Sequence, residues 1–399
     1  MFLCAERDKS RRFVLAMSTI LSIRRVGAAW TLWVGLAMIV VTLVLVLAVD
    51  VPLREGAVVP HTLPRDLPPP VTTLQRIARW AAVNITGINW VGYLLVFDGL
   101  LTLIRRRDDN GDDEGSPLRQ RPNRFIVAWL TSIPVWCFFD WINFYFIQAW
   151  DYHGLPPHFA SRVVGYFVAF AAISPGMFLT AVLYQRLGVR HLMVNRREIT
   201  RVLTVLLSLG VLAILILAIV LIGICQNLGG GFLLSTLGLI LPGSLTLAIT
   251  WRLVPAVFVF GLSFTLWAIL LADPVSNMAL WVGLIYLLDP ICHRCGAPSI
   301  LRDWEQGRYG RTISLMLGGA TCGLLWESWN YYAIAKWTYN LPFLGELEHV
   351  RYFEMPWLGF LGFLPFAIEC WVMLNAIIVG LEQLNLRLAE PLADDHAIM

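Results

Sequence analysis

Residues 326–339 read WESWNYYAIAKWTY, and residues 139–152 read FDWINFYFIQAWDY. Laid over each other without a gap, they set Asp140 on Glu327, Asn143 on Asn330, Tyr145 on Tyr332, Trp150 on Trp337 and Tyr152 on Tyr339. The same offset carries Arg124 onto Arg311. Upstream, WVGYLLVFD (90–98) resembles WVGLIYLLD (281–289), matching Asp98 to Asp289. Downstream, SPGMFLTAVL (174–183) resembles LPFAIECWVM (364–373), matching Pro175 to Pro365. Ordered polar and aromatic matches over three consecutive apolar stretches predict an internal duplication.

The surrounding chain explains what is duplicated. Hydrophobic residues make up 58% of it and charged residues 14%, with a mean hydropathy of +0.68, which excludes an ordinary soluble domain. Stretches long enough to cross a hydrocarbon core of about 30 Å fall near 27–49, 85–104, 124–149, 162–185, 202–224, 231–250, 253–272, 278–292, 312–335 and 357–380. The expected fold is an all-α polytopic membrane protein of about ten transmembrane helices with a parallel tandem repeat of three-helix units. An even number of crossings between equivalent positions gives both units one orientation.

The expected parts are a cytoplasmic segment 1–26, a first helix and Pro-rich outer loop 27–84, repeat unit one 85–190, three central helices 191–277, repeat unit two 278–384 and a cytoplasmic tail 385–399. Arginines gather in the connections that this count puts inside, for example Arg105, Arg106, Arg107, Arg196 and Arg197. Both termini are therefore expected in the cytoplasm, the first span is read as an uncleaved anchor, and the location as a bacterial inner (plasma) membrane. Translation starting at Met1 or at Met17 fits equally. The net charge of +3 gives no reason to expect nucleic acid as a partner. CHRC at 292–295 lacks a second ligand pair, so neither a metal nor a cofactor is expected.

Ionisable groups inside a bilayer cost roughly 2.5–3.5 kcal/mol even on insertion scales, and they face a partner or a pathway. Asp140 and Asn143 are three residues apart, as are Glu327 and Asn330, so each pair shares a helical face. Glu369, mid-span after Pro365, has Leu179 at the matching position of the first unit. Asp140, Glu327 and Glu369 are the candidate acid and base groups. Asn143, Asn330, Tyr145, Tyr332, Trp150, Trp337, Tyr152 and Tyr339 are the candidate substrate-binding residues. Asp98 with Arg124, and Asp289 with Arg311, are expected as ion pairs at the cytoplasmic ends.

An acidic residue, about ten residues, W-x-Y, a short loop, then a proline and an aromatic-rich span resembles the membrane-embedded lycopene cyclase domains of bacteria, archaea and fungi. The resemblance covers Asp140 to Tyr152, Glu327 to Tyr339, Pro356 and Phe360. It implies a helical repeat fold and proton-initiated cyclisation or isomerisation of an isoprenoid. The family places paired glutamates after the loop proline, whereas here Pro356 is followed by Trp357, Leu358 and Gly359. The leading expectation is a protein that binds or transforms a long isoprenoid-like or lipid substrate between the repeats. The alternatives are a proton- or cation-coupled secondary transporter and a non-catalytic membrane assembly factor. No Walker, Rossmann, zincin, nucleophile-elbow or kinase motif is present.

Overall fold

A Thr72–Gln75 capping box sets where the first helix of the duplicated stretch begins. The Gln75 N–H donates to Thr72 Oγ1 (3.2 Å) and the Thr72 N–H to Gln75 Oε1 (3.0 Å). Helix α2 therefore runs Thr73–Leu103, and the expected boundary at 84/85 falls inside it. Apolarity marks only the part that fits hydrocarbon, whereas backbone hydrogen bonding continues to the cap. The computed structural model describes residues 27–54, 67–104, 106–107, 113–193, 254–271, 277–340, 350–389, 392 and 397–399. The expected spans at 202–224 and 231–250 lie outside these.

Helix α1, Gly27–Leu53, precedes α2. After α2 come a short hairpin of β1 (Arg106–Arg107) and β2 (Asp113–Glu114), helix α3 (Pro117–Gln120), and α4 (Pro122–Ile147), whose last turn, Asn143–Ile147, is π-helical. Strand β3 (Trp150–His153) leads to α5, Phe159–Arg186. Further on lie α6 (Val254–Leu271), α7 (Asn277–Arg294), α8 (Ile300–Glu305) and α9 (Gly310–Tyr332). Then follow β4 (Lys336–Tyr339), β5 (Arg351–Tyr352), β6 (Met355–Pro356), a 3-10 turn (Trp357–Gly362) and α10 (Phe363–Gln383).

The protein is mostly helical, and among the described residues five helices are long and apolar enough to cross a membrane: α1, α2, α4, α5 and Gly359–Gln383. Large apolar side chains stand exposed around them, among them Trp30, Trp33, Val41, Trp80, Phe144 and Phe159. Such a perimeter is compatible with lipid as the surrounding solvent.

Small residues let the helices meet at the backbone, as expected where lipid removes any hydrophobic drive between helices. Helix α9 is central. A Cβ on Gly318 would strike the Met177 carbonyl of α5, and one on Gly319 would strike the Phe363 carbonyl of α10. Helix α4 also packs against α5 and α10, α2 packs against α5 and α9, and α7 packs against α6 and α10. Aromatic rings fill the interior between these helices. Trp90 of α2 meets Trp326 and Trp329 of α9 at 6.1 and 5.5 Å, while Trp281 of α7 meets Phe139 of α4 and Phe366 of α10 at 5.1 and 5.2 Å.

Short strands in the connections depart from the all-α expectation. β3 pairs antiparallel with β4, setting Trp150 opposite Tyr339, Asp151 opposite Thr338 and Tyr152 opposite Trp337. This ribbon closes one end of the bundle. At the other end, the grip on Asp98 comes from Arg119, whose Nε and Nη2 donate to it at 2.6–3.0 Å. Asp289 caps the start of α8, accepting from the Ser299 hydroxyl and the Ile300 and Leu301 N–H groups. Arg311 donates to Asp303 (2.7 Å) and Arg124 to Asn375 (2.8 Å). Burial lifts the Asp303 carboxyl to about 6 against the pull of Arg311 and Arg308. The expected pairing missed α3 and α8, which insert nearer partners between helix ends. Residues of the tail also return to this end, where Trp371 Nε1 donates to the Ile398 carbonyl (3.0 Å).

A methyl group on Gly319 would meet the Phe363 carbonyl and the Ala367 Cβ, neither of which can swing aside, so Gly319→Ala is expected to cost roughly 1–3 kcal/mol. Gly380 has nothing within 4 Å of a built Cβ, and Gly380→Ala is expected to hold or slightly raise stability. Thermal unfolding of the two variants in detergent checks the contrast.

Candidate functional site

Each half of the ribbon is tied to the helix before it by one asparagine. Asn143 Nδ2 donates to the Trp150 carbonyl (2.7 Å), and its Oδ1 accepts from the N–H groups of Ala149 (2.8 Å) and Trp150 (3.1 Å). Asn330 Nδ2 donates to the Trp337 carbonyl (2.8 Å), and its Oδ1 accepts from the Trp337 N–H (2.9 Å). Both amides are buried and spent on backbone seven residues ahead. They satisfy groups freed where helix gives way to strand. The turns reach the strand differently: α4 adds the π turn and a left-handed Gln148, whereas α9 stops at Tyr332.

Side chains two apart on a strand share one face, so W-x-Y delivers an indole and a phenol together. Both land on the acid. Asp140 Oδ1 accepts from Trp150 Nε1 (3.1 Å) and from the Tyr152 hydroxyl (2.9 Å). Glu327 Oε1 accepts from the Tyr339 hydroxyl (2.7 Å) and, more weakly, from Trp337 Nε1 (3.4 Å). Burial, reinforced by the neighbouring carboxyl, pushes both phenols well above the ordinary tyrosine value, so each holds its proton and donates it.

The two clusters are not identical. Tyr152 also accepts from Trp136 Nε1 (3.0 Å) of α4, while Tyr339 accepts from its own strand's Trp337 Nε1 (2.8 Å). The position matching Trp136 is Gly323, whose Cβ site is taken by the Phe363 ring. Asp140 is half-buried, whereas Glu327 is 0% exposed and its Oε2 has no hydrogen-bond partner. Trp326, the residue before Glu327, is in ring contact with Trp136, Trp337 and Trp90 at 5.1–6.1 Å. A buried carboxyl oxygen without a partner, on the residue next to this aromatic cluster, suits a proton donor or acceptor toward an apolar molecule.

The remaining expected site residues separate. Tyr145 follows Asp140 by five residues, well round the helix, and is 64% exposed. Tyr332 is half-buried, with its carbonyl accepting from Arg54 Nη2 (3.1 Å). Neither belongs to the acid clusters. Glu369 lies inside the bundle one turn from Phe366, 0% exposed, with both carboxyl oxygens lacking a partner. Near the ribbon, His153 bonds Thr338 (2.8 Å) and Lys336 pairs with Glu354, while Glu346, Glu348 and His349 lie outside the described residues. Among the described residues no group of three His, Cys, Asp or Glu is placed to hold a metal ion.

Sequence reasoning missed Trp136 and Trp326. Trp136 stands four residues before Asp140 and so shares its helical face, but aligning the two stretches sets it on Gly323 and hides it. No family model, curated protein or solved structure matches the chain.

Removing the Asn330 amide leaves a buried carbonyl and N–H unsatisfied, so Asn330→Ala is expected to cost roughly 2–3 kcal/mol. Asn330→Asp keeps the acceptor and is expected to cost less. Tyr145→Ala, at an exposed position, should change stability by no more than about 0.5 kcal/mol. The ranking is read from thermal midpoints of the purified variants.

Proposed function

We propose that the chain is an integral membrane protein that binds or transforms a long apolar substrate, isoprenoid-like or lipid, between two three-helix repeats. The observation that carries the reading is Glu327, clamped through Oε1 by Tyr339 while Oε2 stays buried and unpartnered. In this reading the neutral carboxyl gives its proton to an alkene of the bound chain. Indole faces of Trp326, Trp337 and Trp136 favour the developing cation, and a neighbouring C–H returns a proton to the carboxylate. Such a cycle consumes nothing and yields an isomer or a ring. Asp140 is the equivalent group of the first unit, and its more open setting fits a supporting role.

The finer architecture belongs to the same proposal. About ten helices, in a parallel tandem repeat with 85–190 and 278–384 as its units, are supported by the matched bonds. Asp140 and Glu327 take donors ten and twelve residues ahead, and Asn143 and Asn330 bind backbone seven ahead. The ribbon sets the equivalent residues Asp151 and Thr338 opposite each other, where a twofold axis would pass. In the resemblance to lycopene cyclase domains, the acid and W-x-Y then act as one clamp, and Glu369 stands in for the missing paired glutamates. The arginine distribution supports an inner-membrane location with cytoplasmic termini, the ribbon facing outward.

Glu369 favours a second reading. A mid-helix carboxyl with both oxygens open also suits proton-coupled transport. Lipids retained by the detergent-extracted protein separate the two. Mass spectrometry is expected to find one isoprenoid or lipid enriched on the wild type and depleted or structurally changed on an Asp140→Asn, Glu327→Gln variant of equal folded yield. Bulk phospholipid on both proteins, with proton-coupled flux in proteoliposomes lost on Glu369→Gln, would favour transport instead.

A further inference from the structure

The acid clusters leave unexplained a second buried charge group at the ribbon end. Asp50, near the end of α1, is 0% exposed and is shared by two arginines. Arg54 Nε donates to its Oδ2 (2.6 Å) and Arg79 Nε, from α2, donates to its Oδ1 (2.5 Å). Two guanidiniums on one carboxylate leave a net positive charge. Arg54 is lowered from the ordinary arginine value by burial, with Asp50 opposing and Arg79 adding to the fall. The Arg79 Nη2 is buried and has no acceptor, while the side chain as a whole is 16% exposed. A guanidinium N–H buried without an acceptor is costly, and the planar fork matches a phosphate.

Position links this group to the acid. Arg54 Nη2 also caps the end of α9 by donating to the Tyr332 carbonyl (3.1 Å). Tyr332 is five residues beyond Glu327, roughly 7–8 Å along a helix axis. Ala81, Ala82 and Ile85 of α2 and Ala333 and Ile334 just after α9 form one buried apolar cluster, with Tyr332 packed against it. The nearby Lys336 is already paired with Glu354, and Arg76 is exposed.

We infer that Asp50, Arg54 and Arg79 seat the phosphate head of an amphiphile whose apolar chain runs toward Glu327, making the substrate class a phosphate monoester of a long apolar alcohol. The inference rests on the reading of an apolar substrate given above and adds its polar end. Arg79 supplies the free donor, and Asp50 holds the two guanidiniums together, much as a carboxylate orients a cationic clamp.

The test uses the full chain in detergent and three probes: geranylgeranyl phosphate, geranylgeraniol and inorganic phosphate. Geranylgeranyl phosphate is expected to bind at least about tenfold tighter than the alcohol. Arg79→Lys, which keeps a cation beside Asp50 but loses the second donor, should weaken geranylgeranyl phosphate binding until it no longer exceeds that of geranylgeraniol. Equal binding of the two prenyl probes to wild type would overturn the phosphate seat and leave the apolar site standing. Inorganic phosphate raising the thermal midpoint as far as geranylgeranyl phosphate would make this a free-anion site and overturn the amphiphile. Binding of neither prenyl probe would remove the underlying reading too. The wild-type comparison decides these outcomes even if the variant fails to fold.

Discussion

One hydrogen-bonding pattern governs the site: an asparagine side chain near the end of a helix binds the backbone of the tryptophan seven residues later. It satisfies peptide groups that the ending helix would leave open, and it fixes where the strand begins. Once that strand start is fixed, the twofold period of a strand brings Trp and Tyr to the same face, over the acid one helical turn before the asparagine. Asp140 and Glu327 are therefore held by residues whose positions follow from Asn143 and Asn330. The antiparallel ribbon then couples both clusters, since each strand is the other's pairing partner.

The two clusters differ in what surrounds them. A tryptophan at 136 and a glycine at 323 give one acid an extra indole donor behind its tyrosine and the other a phenylalanine wall. Glu327 is sealed from solvent with one oxygen open, while Asp140 is half-buried. Glu369 stands where the first stretch has Leu179, so its two unpartnered oxygens have no equivalent.

Much of the clamp was legible because the chain states it twice. The spacing from Asp140 to Trp150 and Tyr152 recurs from Glu327 to Trp337 and Tyr339, and the hydrogen bonds follow that spacing. What pattern alone could not reveal was backbone context. W-x-Y does not show that its indole and phenol share a face until a strand is known to carry it, and Tyr145 reads as part of the site until its place around the helix is seen. Charge pairing was less legible still. Asp98 takes Arg119 because α3 brings that arginine back, and Asp50 gathers Arg54 and Arg79 from two helices. Hydropathy located the crossing of α2 and missed its start at the Thr72 cap, since hydrogen-bonded helix outlasts the apolar stretch.

The two acid clusters are joined through one ribbon centred on Asp151 and Thr338, and a disulfide tests that junction directly. Directly opposed strand residues have Cβ atoms roughly 4.5–5.5 Å apart, close enough for a bridge after small adjustment. Cysteines placed by Asp151→Cys and Thr338→Cys, with the native cysteines replaced, should cross-link on mild oxidation in native membranes, and peptide mass spectrometry should recover 151 bonded to 338. A folded protein in which 338 stays free, or bonds instead to a control cysteine at Tyr145, would contradict the ribbon and with it the paired arrangement of the acids.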